Sequence, residues 1–177
     1  MPSGNTTLTA VGGLPSAALG NATSETIFAG GKTGNLILNL TQSGELANHL
    51  IRFKFGGRLQ PGTTGTFRVR LYAGSSIVSA NQMFDTNAVS CTGNSNFLCL
   101  VDCFWDSLSK SFCGVGYGQM GNTALGITQL PNQVTADPNA ALLATNALFT
   151  QPFILTGQFG TSNASNSAFI DLYEADT

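Results

Sequence analysis

The sequence predicts an all-β protein, an antiparallel jelly-roll-type β-sandwich with an extended N-terminal arm and one short helix. Three observations carry that expectation. Segments in which apolar and polar residues alternate recur along the chain, the two-residue period of a strand with one buried face. Turn formers stand between them, with 21 glycines spread throughout. Only one stretch has the start signals of a helix. At 177 residues and 18.4 kDa the chain suits one domain with a sizeable core, divided into an arm over residues 1–24 and a sandwich over residues 25–177.

The elements follow in order. Residues 1–24 are small and polar, with Gly12-Gly13 and Pro15. Such residues offer too little apolar burial to offset backbone entropy, so the arm is expected to order against a neighbouring subunit. Leu36–Leu40 is the first clear strand. Ile51-Arg52-Phe53-Lys54-Phe55 alternates throughout, and the pattern resumes in Phe67-Arg68-Val69-Arg70-Leu71-Tyr72. Gly56-Gly57 and Pro61-Gly62 are expected to break the chain between them, so the two read as an antiparallel pair. Phe97–Trp105 and Ser111–Tyr117 form a further expected pair, turning through residues 106–110. Asp137 suits a helix cap and Pro138 the first helical position, before a short apolar stretch to Ala144. Phe153–Phe159 and Ala168–Tyr173 close the chain as a hairpin across residues 160–166.

Composition narrows the function classes. Hydrophobic residues make up 42%, which excludes a disordered chain. Charged residues are only 9%, against the ~25% of an ordinary soluble domain. Thr, Ser, Asn, Gln and Gly must therefore cover the surface, as in proteins that work outside the cell or inside an assembly. A net charge of -2 and a pI near 5.1 provide no basic field for nucleic acid. The longest apolar runs, such as Leu36–Leu40, fall far short of the ~20 residues of a membrane helix. Met1–Thr7 lacks the basic and apolar regions of a cleaved secretory signal, so synthesis in a cytoplasm is expected, with release by another route such as lysis.

No catalytic, cofactor-binding or metal-binding residues are expected, and the chain does not read as an enzyme. Hydrolysis usually needs a histidine base, and the single candidate, His49, sits at the start of a strand beside Leu50. The nine carboxylates are scattered, and Trp105 is the sole Trp where a carbohydrate cleft usually carries several aromatics. Gly114-Val115-Gly116-Tyr117-Gly118 has the look of a dinucleotide loop, but no helix follows it, and it reads as a glycine-rich strand.

Two groups of residues stand out. Cys91, Cys99, Cys103 and Cys113 lack the paired spacing of a zinc knuckle. Buried thiols are one reading. The other is a disulfide between Cys103 and Cys113, which sit symmetrically about Leu108 and would face each other across a hairpin turning there. Alternation also places Arg52, Lys54, Arg68 and Arg70 on an outward strand face. That face is either a solvated surface that discourages aggregation or a docking face for an acidic neighbouring subunit.

Ile51–Leu59 leading into Phe67–Gly74, and the closing stretches Phe153–Gly160 and Asn166–Ala175, resemble β-sandwich structural proteins of tailed phages. Trp105-Asp106-Ser107 with Gly114–Gly121 is similar to the central hairpin of those sandwiches, and the likeness spans residues 25–175 loosely. It implies a non-enzymatic virion protein, a decoration or cement protein that binds and stabilises the phage head on the capsid surface. The partners implied are the major capsid protein and copies of the chain itself, as a homotrimer, with neither nucleic acid nor membrane. The alternative is a tail or head-fibre module that binds host-surface glycans.

Overall fold

A computed structural model describes residues 7–8, 16–29, 36–40, 50–62, 65–74, 76–106, 111–129, 134–135 and 149–176. Two antiparallel sheets pack face to face. The front sheet contains β1 (Thr7–Leu8), β2 (Leu19–Gly20), β5 (Leu50–Gln60), β9 (Ser95–Asp106), β10 (Ser111–Met120), β11 (Thr123–Gln129), β12 (Val134–Thr135) and β14 (Ser167–Asp176). The back sheet contains β3 (Thr26–Ile27), β4 (Leu36–Leu40), β6 (Gly65–Ala73), β7 (Gln82–Asp85), β8 (Val89–Cys91) and β13 (Phe149–Phe159). The front order is β1-β14-β5-β9-β10-β11, with β2 also on β14 and β12 on β10. The back order is β3-β13-β6-β7, with β4 also on β13 and β8 on β6.

This pairing is a jelly roll, as expected from the sequence. The earliest strands, β1 and β2, pair with the last, β14, and the next, β3 and β4, pair with β13. Inside them β5 pairs with β9, and β6 with β7 and β8. Four ribbons are thus wound one inside another and alternate between the two sheets. β10 and β11 extend the front sheet beyond β9.

The topology corrects three local expectations. β5 and β6 are not a hairpin: β5 pairs with β14 and β9, while β6 pairs with β13, β7 and β8 in the other sheet. β13 and β14 likewise lie in opposite sheets. Alternation fixes which residues face inward, but both the front and the back strand of a sandwich satisfy it equally. Gly56-Gly57 does not break the chain; it lies inside β5, opposite a register shift in β14 between Ile170 and Leu172. A Cβ at Gly57 would come within 1.7 Å of the Phe169 carbonyl oxygen, so the bulged strand approaches where only glycine leaves room.

The core is aromatic and spans both sheets. Phe53 and Phe112 of the front sheet meet Phe153 of the back sheet, with ring centroids 4.7 and 5.5 Å apart. Phe55 meets Phe84 edge-on at 5.8 Å, and Phe67 meets Phe97 at 6.3 Å. Offset and edge contacts of this kind add to the burial of the rings themselves. Tyr173 is buried, and its hydroxyl donates across the core to the Phe153 carbonyl at 3.0 Å, which satisfies the one polar atom it carries inward. The glycine-rich stretch of residues 114–118 is indeed a strand, β10. A Cβ at Gly116 would lie 2.1 Å from the Phe84 ring, so the bare backbone there makes room for an aromatic of the opposite sheet.

From Ser16 onward the expected arm is stitched to this chain's own body. Leu19 belongs to the core, and β2 pairs with β14. Ser16 exchanges two hydrogen bonds with Ile170, its amide donating to the carbonyl at 2.9 Å and its hydroxyl accepting from the amide at 2.8 Å. The Phe159 amide donates to the Ala22 carbonyl at 2.7 Å. The helix expected from Asp137 to Ala144, the turn at residues 107–110 and His49 lie outside the described residues.

Candidate functional site

The residues expected to form one basic docking face occupy two opposite faces. Arg52 and Lys54 point outward from the front sheet, Arg68 and Arg70 outward from the back sheet, because the chain crosses between sheets after Gln60. That corrects the single-patch expectation. All four also carry carboxylate partners within the chain.

On the front face Arg52 stands directly opposite Asp102 and grips it with two bonds, from Nε at 2.6 Å and Nη2 at 2.9 Å. The Tyr117 hydroxyl donates to the same carboxylate at 3.1 Å. Arg52 foremost, with Tyr117 behind it, holds the Asp102 carboxyl below the usual carboxylate range despite partial burial. Lys54 sits between Glu174, at 3.2 Å, and Asp176. Arg58 closes two bonds on Asp171, at 2.8 and 2.9 Å, and lies 4.9 Å over the Phe169 ring.

The back face holds a denser cluster. Arg70 is 6% exposed and lies opposite Asp85 of β7. Its Nε donates to Asp85 Oδ2 at 3.2 Å, its Nη1 lies 2.7 Å from Glu25 Oε2, and its Nη2 donates to Gln158 Oε1 at 3.3 Å. Arg68 forks onto Asp85, with Nε at 2.7 Å from Oδ1. The Asn87 amide adds a third donor to that carboxylate at 2.7 Å. Glu25 accepts from the Tyr72 hydroxyl at 2.7 Å and from the Thr156 hydroxyl. Burial alone would raise the Asp85 and Glu25 carboxyls, but their donors and cations outweigh it and hold both below their ordinary values. Burial, with the Glu25 carboxylate beside it, pushes the Tyr72 hydroxyl up.

Of the two cysteine readings, the register removes the Cys103–Cys113 disulfide and leaves the thiols. β9 and β10 do pair, but Cys103 stands opposite Gly114, and Cys113 opposite Phe104. The hairpin is centred half a residue beyond Leu108, and that shift puts the two side chains on opposite faces of the sheet. Cys103 points into the core, while Cys113 is half-buried beside Phe104, and all four cysteines are free thiols. Burial pushes the Cys99 thiol up to about 12 and raises Cys103 as well, so neither ionises near neutral pH.

Sequence reasoning missed two features of this surface. The first is the acidic half of each ion pair: nothing local to Asp102, Asp85 or Glu25 shows which strand will lie beside it. The second is apolar. Leu50, Leu98 and Phe104 point outward from the front sheet with 57, 46 and 41% exposure. Leu50 and Phe104 are direct cross-strand partners, and half-buried Cys113 follows Phe104 in the same row. A signal for it was present, since Phe97–Phe104 is apolar at nearly every position, whereas a strand with one wet face alternates.

A half-open hollow of about 260 Å³ lies between Phe84–Asn87, Val89 and Thr123–Gly126. It is smaller than the ~300 Å³ at which small-molecule sites begin, and Asp85, the one charged residue lining it, has its carboxylate committed to Arg68 and Arg70. Among the described residues no three His, Cys, Asp or Glu side chains gather as metal ligands, and no helix is long and apolar enough to cross a membrane. Neither protein-family models nor curated protein sequences match the chain.

Proposed function

We propose that the chain is a non-enzymatic structural protein of a virion, a cement protein that binds and stabilises the head of a tailed phage. One observation carries this reading furthest. Among the described residues, the cations of both outer faces are paired with carboxylates inside the chain, from Arg52–Asp102 to Arg70–Glu25. A reactive site keeps charged groups free or poised for a substrate, whereas a surface with its charges closed suits binding by shape. The jelly roll is consistent with that role but hosts many others, so the fold lends support without deciding it. The partners under this proposal are the major capsid protein and further copies of the chain.

The test is to mix the purified protein with heads lacking it and pellet the heads. Co-sedimentation that saturates at a fixed ratio to capsid protein, with heads surviving a higher temperature, is the expected result. Failure to bind heads, together with retention on a panel of immobilised host glycans, would replace this reading with that of a fibre module.

A further inference from the structure

We propose that residues 22–29 form a strap latched to the back sheet by Glu25, and that protonating this one carboxylate lets the strap peel away while the sandwich beneath it stays folded. The latch lies within the subunit and is independent of what the chain binds.

The N-terminal segment crosses from β14 of the front sheet to β13 of the back sheet. Its first part is fixed by neutral groups: Leu19 sits in the core, β2 pairs with Ser167 and Ala168, and Ser16 exchanges its two bonds with Ile170. Asn21 then docks on the β13–β14 connection. Its side-chain oxygen accepts from the Ser162 hydroxyl at 3.0 Å and from the Asn163 amide at 2.6 Å. Residues 22–29 continue along the outer edge of β13. There the two residues of β3 pair with Gly157 and Thr156, the Phe28 amide donates to the Leu155 carbonyl at 3.1 Å, and the Phe28 ring enters the core. So short a pairing, at the edge of a sheet, belongs to the part of a fold that opens before the rest.

Glu25 is the sole ionisable side chain from residue 16 to residue 29. Two strands of the back sheet hold it. On β6, Arg70 Nη1 lies 2.7 Å from Oε2 and the Tyr72 hydroxyl donates to Oε1 at 2.7 Å; on β13, the Thr156 hydroxyl donates to that same oxygen. Arg68 of β6 and Asp85 of β7 complete the charged groups around it, and Arg68 and Arg70 already share Asp85. Glu25 is thus the second anion for two cations. A proton on it removes that charge and sets a hydrogen among groups that were all donating, so a buried guanidinium loses its partner. The same donors hold the Glu25 carboxyl below its ordinary 4.5. The latch is therefore shut above that value and yields as pH falls through the lower, folded one. Asp85 is lowered too, but its partners Arg68, Arg70 and Asn87 lie outside the strap. Opening bares the Leu155 carbonyl and the Phe159 amide on the edge of β13, and vacates the space beside Phe67 and Gly157 that the Phe28 ring fills.

Proteolysis of the folded, full-length chain tests this. Thermolysin cuts before bulky apolar residues, and the Ile27–Phe28 bond is paired and half-buried until the strap lifts. Cleavage there follows the open population when closing is fast. At pH 7 Glu25→Gln should be cut within residues 22–29 at least ~10-fold faster than wild type, with circular dichroism unchanged. Pepsin carries the measurement into acid, each rate being divided by that of a free peptide of residues 22–29. Wild-type cleavage in the strap should rise as pH falls below 4.5, before the sheet signal is lost, and Glu25→Gln should show no such rise. Tyr72→Phe removes one donor and keeps the ring, so it should give a smaller acceleration at pH 7 and retain the rise in acid. It carries the test should Glu25→Gln fail to fold. Strap cleavage that begins only with global loss of circular dichroism would overturn the proposal, as would a folded Glu25→Gln as resistant as wild type at pH 7. So would an equally steep rise in acid for Glu25→Gln, which would transfer the titration to Asp85.

Discussion

Two stretches of nearly identical pattern, Ile51-Arg52-Phe53-Lys54-Phe55 and Phe67-Arg68-Val69-Arg70-Leu71, meet opposite fates. Both bury their apolar residues in one core and point their cations outward. On the front sheet Arg52 and Lys54 remain in contact with solvent, each within reach of a carboxylate on the adjacent strand. On the back sheet Arg70 is covered, because Glu25 arrives from the N-terminal segment above it and Asp85 from β7 beside it. The pattern of a strand determines which way a charge points. Whether that charge becomes a solvated ornament or a buried strut depends on what the rest of the chain lays over it.

The sharpest way to break this comparison is Arg70→Met. Removing the guanidinium leaves the Glu25 carboxylate without its cation and Asp85 with only Arg68. Breaking one partner of a buried pair costs about 3–5 kcal/mol, which for a chain of this size corresponds to a Tm lowered by roughly 10 °C. Thermal denaturation followed by circular dichroism reads it directly. A shift of only a degree or two would mean that the cluster is as solvated as the front face and that the contrast is false.

Acid provides the second, smaller test. Glu25 and Asp85 have folded-state values below their ordinary 4.5 and 3.8. A carboxylate lowered by folding contributes stability that is fully present above its ordinary value and is lost as pH falls through the lower, folded one. Stability should therefore be flat above about pH 5 and fall progressively below about pH 4. Glu25→Gln keeps the shape but removes one titrating group. It should cost about 1–3 kcal/mol at pH 7, the toll for an under-satisfied buried partner, and flatten the acid limb of a Tm–pH curve. An unchanged acid limb would shift the burden to the front-face carboxylates, of which Asp102 is also lowered.

The comparison also marks how far the sequence was legible. Alternation predicted β5 and β6, because a residue's inward or outward direction is a local property of a pleated strand, and apolar or glycine-rich runs between turn formers predicted β4, β9, β10, β13 and β14. It did not locate β7 or β8, whose Gln82–Asp85 and Val89–Cys91 are too short to show a period. Nor did it assign strands to sheets: β5 and β6 look like a hairpin because a crossing between sheets and a turn within one use the same Gly and Pro residues. The Cys103–Cys113 pairing failed by a single register step, since moving by one residue turns a side chain to the other face. The basic residues were found, but their partners lie far off in sequence, with Arg52 and Asp102 separated by fifty residues and Lys54 and Asp176 by more than twice that. Such pairs exist only once the roll is wound, and no local pattern announces them.

The smallest expected effect falls on the front face, and it is the one that joins the comparison to assembly. Arg52→Gln removes the fork on Asp102 at a position where water can replace it. In the isolated chain the Tm should barely move, and any change should fade as salt screens the remaining charges. If the capsid or a second copy covers this face, however, the same substitution leaves Asp102 with only the Tyr117 hydroxyl beneath an interface that excludes water. The loss should then appear only in the assembled state. Because association with a folded partner stabilises the folded chain by mass action, the wild-type Tm should then rise with partner concentration. Arg52→Gln should reduce that rise while leaving the dilute-limit Tm where it was. A parallel shift at every concentration would instead place the effect inside the subunit. Arg52 would then resemble Arg70 more than its exposure suggests, and the distinction between the two faces would have to be drawn elsewhere.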